Sequence, residues 1–273
     1  VDNDLPLIDC CPGFGSVAKY TAISTLEAGL DVASMCETST KVFILEVMGR
    51  HAGWIAASSA LASNSRKKPP HIILFPEIAF NEKLFLKNVK ELIRKYGFCV
   101  VVASEGAKNS SGKFLAESGL KDAFGHSQLG GVAPYLAELI KTKKGYKCHW
   151  AVADYLQRSA RHISSKIDVE QAHALGKYAV DLAVNGKNAV MASIKRISND
   201  PYKWKLITVP LSKVANVEKK MPMKYITKDG YYITSACRKY LAPLVAGEDS
   251  PKYKKGIPVY THFKNRKVKK IKI

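Results

Sequence analysis

Short runs of uninterrupted apolar residues alternate along this chain with longer stretches whose apolar positions recur at helical spacing. VFILEV (Val42–Val47), IILF (72–75) and FCVVVA (98–103) are brief and rich in β-branched residues, and they read as strands buried on both faces. Residues 53–63 are small and apolar and predict a helix lying close against such a sheet. Residues 81–96 place Leu84, Phe85, Val89, Leu92 and Ile93 on one side with charges opposite, which predicts an amphipathic helix. Another helix is expected over about 129–143. Asp168 and Gln171 read as a capping box that opens a helix to about Val184, where Asn185-Gly186 ends it. Strands are expected at about 188–194 and 204–209.

Strands alternating with helices of this length imply right-handed βαβ units, hence an α/β protein whose mostly parallel sheet is covered on both faces. Ligands of such folds bind beyond the carboxyl ends of the strands, so the loops there are where chemistry is sought. No internal repeat or low-complexity linker marks a domain junction.

With 273 residues, 47% hydrophobic and 24% charged, the chain can bury a substantial core, and disorder, collagen and coiled coil are excluded. No apolar run approaches the roughly 20 residues that cross a bilayer. The start, Val1-Asp2-Asn3-Asp4, is neither a signal peptide nor an initiator methionine, so the chain is expected to be cytoplasmic and to begin inside a longer gene product. The formal charge of +20 points to an anionic partner: nucleic acid, an anionic membrane or a phosphorylated small molecule. Only eight of the 43 basic residues are Arg, however, and surplus Lys reads as solvated surface, because specific phosphate recognition favours the rigid guanidinium fork. The last 22 residues, from Lys252, hold nine Lys/Arg and no acid, an exposed end with non-specific polyanion affinity. Neither a helix-turn-helix nor a stacking pattern of aromatics supports a specific nucleic-acid partner. The six cysteines show no CxxC pair or zinc spacing and read as intracellular thiols, and His149 and His162 stand too far apart for a one-turn metal pair.

Four loops carry polar residues suited to chemistry. Asp2 and Asp4, at i and i+2, can point the same way from a turn, one to take a proton and the other to orient a metal-bound group; such triplets are also common in plain turns. In EVMGRHAG (46–53) the glycines let backbone approach a ligand, and Arg50 among them can make a paired contact to phosphate. Glu105, just after the FCVVVA strand, can accept from sugar hydroxyls or sit solvated in a loop. In HWAVADYLQR (149–158), Tyr155 and Arg158 suit a phosphorylated ligand, or a buried aromatic beside a surface cation.

The ordered set VDNDLP, CPGFGS, EVMGRHAGWIA, VVASEGAK, FGHSQLGG and HWAVADYLQRSARH resembles the 6-phosphofructokinase family. HWAVADYLQR and the ending GYYITSACRKYLAPLVAGE are more similar to its pyrophosphate-dependent bacterial branch than to the ATP-dependent one, and the likeness extends to about Val268. The resemblance implies a three-layer α/β/α, Rossmann-like phosphofructokinase fold in which the N-terminal donor-binding portion is missing. Residues 1–155 would form most of a sugar-phosphate domain, and 156–273 would return towards the donor domain before the basic extension.

The activity so implied is reversible phosphoryl transfer from magnesium pyrophosphate to the C1 hydroxyl of fructose 6-phosphate, giving fructose 1,6-bisphosphate. An ATP-dependent enzyme, or a sugar-phosphate-binding fragment or subunit without turnover, are the other readings. By position Asp2 matches the general base and Asp4 its supporting carboxylate near Mg2+, with Val1 beside them. Met48, Gly49 and Arg50 match the sugar-phosphate loop, Arg50 also facing the transferred group. Glu105 matches the acid that holds sugar hydroxyls, and Tyr155, Leu156, Gln157 and Arg158 match the segment that completes the 6-phosphate pocket. The principal metal carboxylate is expected in the missing N-terminus. Where family members place two arginines reaching to a neighbouring subunit's 6-phosphate, this chain has Lys41 and His149, so a homo-oligomer, dimer or tetramer, is implied with a phosphate pocket either weaker or rearranged around Arg158.

Overall fold

The computed structural model describes residues 1–121, 127–129 and 131–267. In chain order a long helix α1 (Phe14–Met35) precedes strand β1 (Val42–Val47), and a short helix α2 (Trp54–Ser58) runs on as a 3-10 turn (Ser59–Ala62) before β2 (Ile72–Leu74). Next come β3 (Ala79–Phe80), α3 (Glu82–Tyr96), β4 (Cys99–Ser104), β5 (Lys108–Asn109) and the antiparallel pair β6 (Glu117–Lys121) and β7 (Ser127–Leu129). The chain continues through α4 (Val132–Lys144), β8 (Cys148–Val152), α5 (Leu156–Ser159), α6 (Lys166–Val184), β9 (Val190–Asn199), β10 (Tyr202–Pro210) and α7 (Ser235–Leu241).

Four of these strands make one parallel sheet in the order β2-β4-β1-β8. Leu45 and Val47 of β1 pack with Phe14, Val17, Ile55 and Ala56 of α1 and α2 on one face; Val42 and Ile44 pack with Phe85, Val89, Leu136 and Ile140 of α3 and α4 on the other. The result is the three-layer α/β/α arrangement expected. Burial on both faces is why β1 and β4 show apolar runs rather than alternation. Among the described residues no helix is long and apolar enough to cross a membrane.

The helix at 81–96 is present as α3, capped by Asn81, whose Oδ1 accepts from the Leu84 amide at 3.0 Å. Elsewhere the periodic pattern misled. Helix α1 is the longest among the described residues, yet after Phe14 its core side is built from small and β-branched residues and Gly13 supplies no side-chain cap. Its cap comes from far away: the Asp168 carboxylate accepts from the Gly13 amide at 2.8 Å, the Ser16 amide at 2.9 Å and the Ser16 hydroxyl at 2.6 Å. Asp168 and Gln171 therefore do not form a capping box. Helix α6 opens at Lys166 with Ser165 as its cap, and Gln171 instead donates to the Tyr202 hydroxyl at 2.9 Å.

Strand β8 escaped detection because it is a sheet edge whose His149, Trp150 and Val152 face solvent, leaving no apolar pattern. The strands expected near 188–194 and 204–209 do exist. They pair antiparallel as the β9–β10 ribbon, outside the parallel sheet.

Candidate active site

Because β1, β4 and β8 run parallel, their carboxyl ends lie at one edge, where Val47 is level with Ser104 and Glu46 with Val152. Three candidate loops thereby converge. The loop after β1 is tied to the one after β4: the Glu105 carboxylate accepts from the Gly49 amide at 3.2 Å, and the Ser104 hydroxyl donates to the Gly49 carbonyl. It is also tied to the loop after β8, since Gln157 Oε1 accepts from the Met48 amide at 3.4 Å while Gln157 Nε2 donates to the Asp154 carbonyl at 2.8 Å. Gly49 adopts φ 129°, a left-handed conformation open to glycine. Gly106 is required for a different reason, since a Cβ there would stand 2.1 Å from the Arg50 carbonyl oxygen. Gly106→Ala is expected to displace the Arg50 loop and destabilise the fold by about 1–3 kcal/mol, read as a lowered Tm in thermal unfolding.

The N-terminal turn completes the cleft. Asp2, Asp4, Met48, Gly49, Arg50 and Glu105, together with His51, Ala52 and Glu218, line a cavity of about 240 Å³. Asn3, between the two aspartates, is fully buried and sits at φ 59°, its side chain turned inward away from the cavity that its neighbours line. Burial raises the Asp2 carboxyl above the ordinary carboxylate range, the nearby Asp4 charge adds to this, and Arg158 and Arg50 pull it back. Asp2 Oδ1 is buried without a hydrogen-bond partner. Glu105 is likewise raised by burial, against the Gly49 hydrogen bond and with repulsion from Asp2 and Glu46. The cleft is thus a group of mutually repelling carboxylates beside Arg50, although among the described residues no three His, Cys, Asp or Glu side chains are grouped so as to hold a metal ion by themselves.

The remaining sequence candidates divide. Tyr155 and Arg158 line an adjoining open depression with Ser159, the guanidinium 5.2 Å from the Tyr155 ring centroid. Gln157 is buried and acts on the Met48 loop, whereas Leu156 projects into solvent at 66% exposure. Val1 packs against the core and Gly13 instead of lining the cleft. Lys41 precedes β1 and donates to the Cys36 and Glu37 carbonyls, so the strand's length, about 20 Å, separates it from the Arg50 loop. His149 is exposed on β8 opposite Phe43, also towards that far end. Of the FGHSQLGG motif (124–131), residues 124–126 and 130 fall outside the described residues, as do 268–273 of the basic tail. Sequence reasoning overlooked Glu218, which enters the cleft from the segment after β10 and stands 3.6 Å from His51 Nε2. Its context, VEKK, has the look of ordinary solvated charge.

Doubly covered parallel sheets of this class bind ligands in the crevice beyond the carboxyl ends of their strands, which is where these carboxylates, the arginine and the glycine-opened loop lie. A family profile described as "Phosphofructokinase" matches residues 1–183, and the chain belongs to the phosphofructokinase family. It is 59% identical over 270 residues to the pyrophosphate--fructose 6-phosphate 1-phosphotransferase of Halomonas elongata, covering 99% of this chain and 64% of that protein. It is 58% identical to the enzyme of the same name from Methylococcus capsulatus over the same shares. Among solved structures, the pyrophosphate-dependent phosphofructokinase of Marinobacter aquaeolei superposes with a TM-score of 0.89 at 57% identity, covering 98% of this chain and 64% of that one. The chain thus spans a little under two thirds of the length of these relatives.

Proposed function

We propose that the full gene product containing these residues transfers a phosphoryl group from magnesium pyrophosphate to the C1 hydroxyl of fructose 6-phosphate, giving fructose 1,6-bisphosphate and phosphate reversibly. The observation that carries the reading is the buried Asp2 carboxylate, one oxygen unpartnered, in the same cleft as Arg50 and Glu105. The names of the relatives at 55–59% identity support pyrophosphate as donor and fructose 6-phosphate as acceptor.

Phosphoryl transfer depends on alignment and charge neutralisation more than on covalent help. Asp2 takes the proton of the C1 hydroxyl as that oxygen bonds to phosphorus and the bond to the departing phosphate breaks. Arg50 neutralises charge on the transferred group, Glu105 orients sugar hydroxyls, and Arg158 with Tyr155 faces the 6-phosphate from the adjoining depression. Asp4 would help to hold Mg2+ beside a principal metal carboxylate expected outside these residues, and the ion when bound supplies further charge neutralisation at the phosphoryl oxygens.

The same reading includes a homo-oligomer in which Lys41 and His149 of one subunit serve a neighbour's 6-phosphate; their place at the far end of the sheet, away from their own cleft, favours it. A cytoplasmic location and a division near residue 155, with 156–273 returning towards a donor-binding portion, complete it.

Assay of the gene product with fructose 6-phosphate and either pyrophosphate or ATP tests the proposal. Turnover with pyrophosphate is expected, and activity with ATP alone, or with neither, overturns it. A pH profile gives a second test. Since Asp2 works ionised and its pKa is raised, kcat/KM is expected to fall as pH drops through a value above the ordinary carboxylate range. A profile flat down to pH 4 would remove Asp2 as the base.

A further inference from the structure

The Asp2 turn and the Arg50 loop both line the cleft, and one segment, 218–221, touches both. On one side the Lys219 amide donates to the Asp4 carbonyl. Lys219 Nζ lies 3.2 Å from the Asp9 carbonyl oxygen, 3.4 Å from that of Ile8 and 3.5 Å from Asn3 Oδ1. On the other side the Lys219 carbonyl accepts from Trp54 Nε1 at 3.1 Å, and the ammonium stands 5.2 Å from the Trp54 ring centroid. Trp54 begins α2 directly after the Arg50 loop. Flanking residues extend the clamp: Glu218 pairs with His51, and the Met221 amide shares the Glu77 carboxylate with the Gly53 amide, each at 3.0 Å from Oε1.

Asn3 needs such a hold. Its left-handed backbone accompanies a side chain turned inward between two residues that line the cleft, and a non-glycine residue keeps that conformation when its surroundings over-determine it. Here the surroundings are the Cys11 amide and Lys219 Nζ on Asn3 Oδ1, and the Tyr240 hydroxyl accepting from Asn3 Nδ2 at 2.9 Å. Burial works against the Lys219 charge, so placing an ammonium there costs stability that a neutral side chain would not.

We propose that Lys219 is a positioning residue for phosphoryl transfer: its ammonium ties the Asn3 side chain of the Asp2-Asn3-Asp4 turn to the Ile8 and Asp9 carbonyls, its amide holds the Asp4 carbonyl, and Trp54 registers the turn against the Arg50 loop. It rests on the function proposed above, because it assigns Lys219 to alignment of the base and the phosphate cation. A residue of this kind acts on the transition state more than on ground-state binding.

The test compares Lys219→Met and Lys219→Arg in the full gene product. Lys219→Met is expected to lower kcat by about 10²-fold, the size associated with an ångström of misplacement, with KM for fructose 6-phosphate changed little and Tm moved by a few degrees at most. Lys219→Arg, which restores donors to the same carbonyls, is expected to recover most of kcat. Amide hydrogen exchange, followed by mass spectrometry on peptides from residues 1–13, is expected to quicken in Lys219→Met and remain slow in Lys219→Arg. Unchanged kcat in Lys219→Met, or unchanged exchange in that segment, overturns the proposal. So does a uniform rise in exchange across the chain, which marks a general structural role. If Lys219→Met does not fold, Trp54→Phe, which removes the Nε1 donor to Lys219 together with part of the ring packed against Tyr225 and Tyr240, is expected to give the same separation of kcat from KM, and normal kcat there overturns the proposal. Absence of turnover in the parent protein refutes the proposed function instead, while the exchange comparison still decides whether Lys219 pins the turn.

Discussion

Asp2→Ala is expected to lower kcat of the full gene product by about 10²–10⁴-fold, the range general-base catalysis supplies, while fructose 6-phosphate still binds. The expectation follows from position and electrostatics together. The carboxylate lines the cleft, one oxygen has no internal partner, and Arg50 and Arg158 keep its anionic form accessible despite burial. Near-normal turnover would remove Asp2 as the base. Asp2→Asn adds a measurement independent of activity. A carboxyl whose folded-state pKa is raised binds its proton more tightly folded than unfolded, so its ionisation opposes folding. That penalty is absent below the ordinary value near 3.8, grows as pH rises from there to the elevated one, and is complete above it. Asp2→Asn is therefore expected to raise Tm at pH 7 and to have a smaller effect at acid pH. A variant that gains stability while losing turnover separates catalytic loss from unfolding, and a lowered Tm at pH 7 contradicts the electrostatic account.

Arg50→Lys is expected to reduce kcat/KM by about 10³-fold, with both a lower kcat and a higher KM for fructose 6-phosphate. Lysine keeps the charge but cannot span two phosphate oxygens with a planar fork. The backbone around Arg50 is closely specified, by the left-handed Gly49 on one side and by Gly106 packed under the Arg50 carbonyl on the other. The guanidinium is therefore presented from a rigid base, and a change of headgroup is not readily compensated by movement of the loop. Steady-state kinetics with varied fructose 6-phosphate checks this. Unchanged constants place Arg50 outside the chemistry, and a change confined to KM limits it to ground-state binding.

Much of this site was legible along the chain because its parts follow strands that are themselves conspicuous. Val42–Val47 and Cys99–Ser104 are apolar on both faces, so the loops carrying Met48, Gly49, Arg50 and Glu105 could be located by what precedes them. Parallel pairing then brings those loops to one edge. The segment after β8 was harder. Its strand is an exposed edge without apolar alternation, and the roles within Tyr155, Leu156, Gln157 and Arg158 depend on which way a four-residue helix turns. Only Gln157 faces inward, to the Met48 amide.

What the sequence by itself determined is the set of features written in local periodicity and composition: the α/β class, the buried strands, the amphipathic helix α3 and the glycine-flanked Arg50. What only the tertiary structure decided depends on partners remote in the chain. Helix α1 is capped by Asp168, more than 150 positions away, so its first turn carries no local signal. Of Glu218 and Lys219, indistinguishable in sequence from solvated surface charge, the first enters the cleft wall and the second packs beside Asn3 and Trp54, because the chain after β10 returns to Asp4, Asp9 and Trp54. Periodicity reports which face of an element is buried, and only the folded chain supplies the carbonyls, amides and ring that give a buried charge its partner.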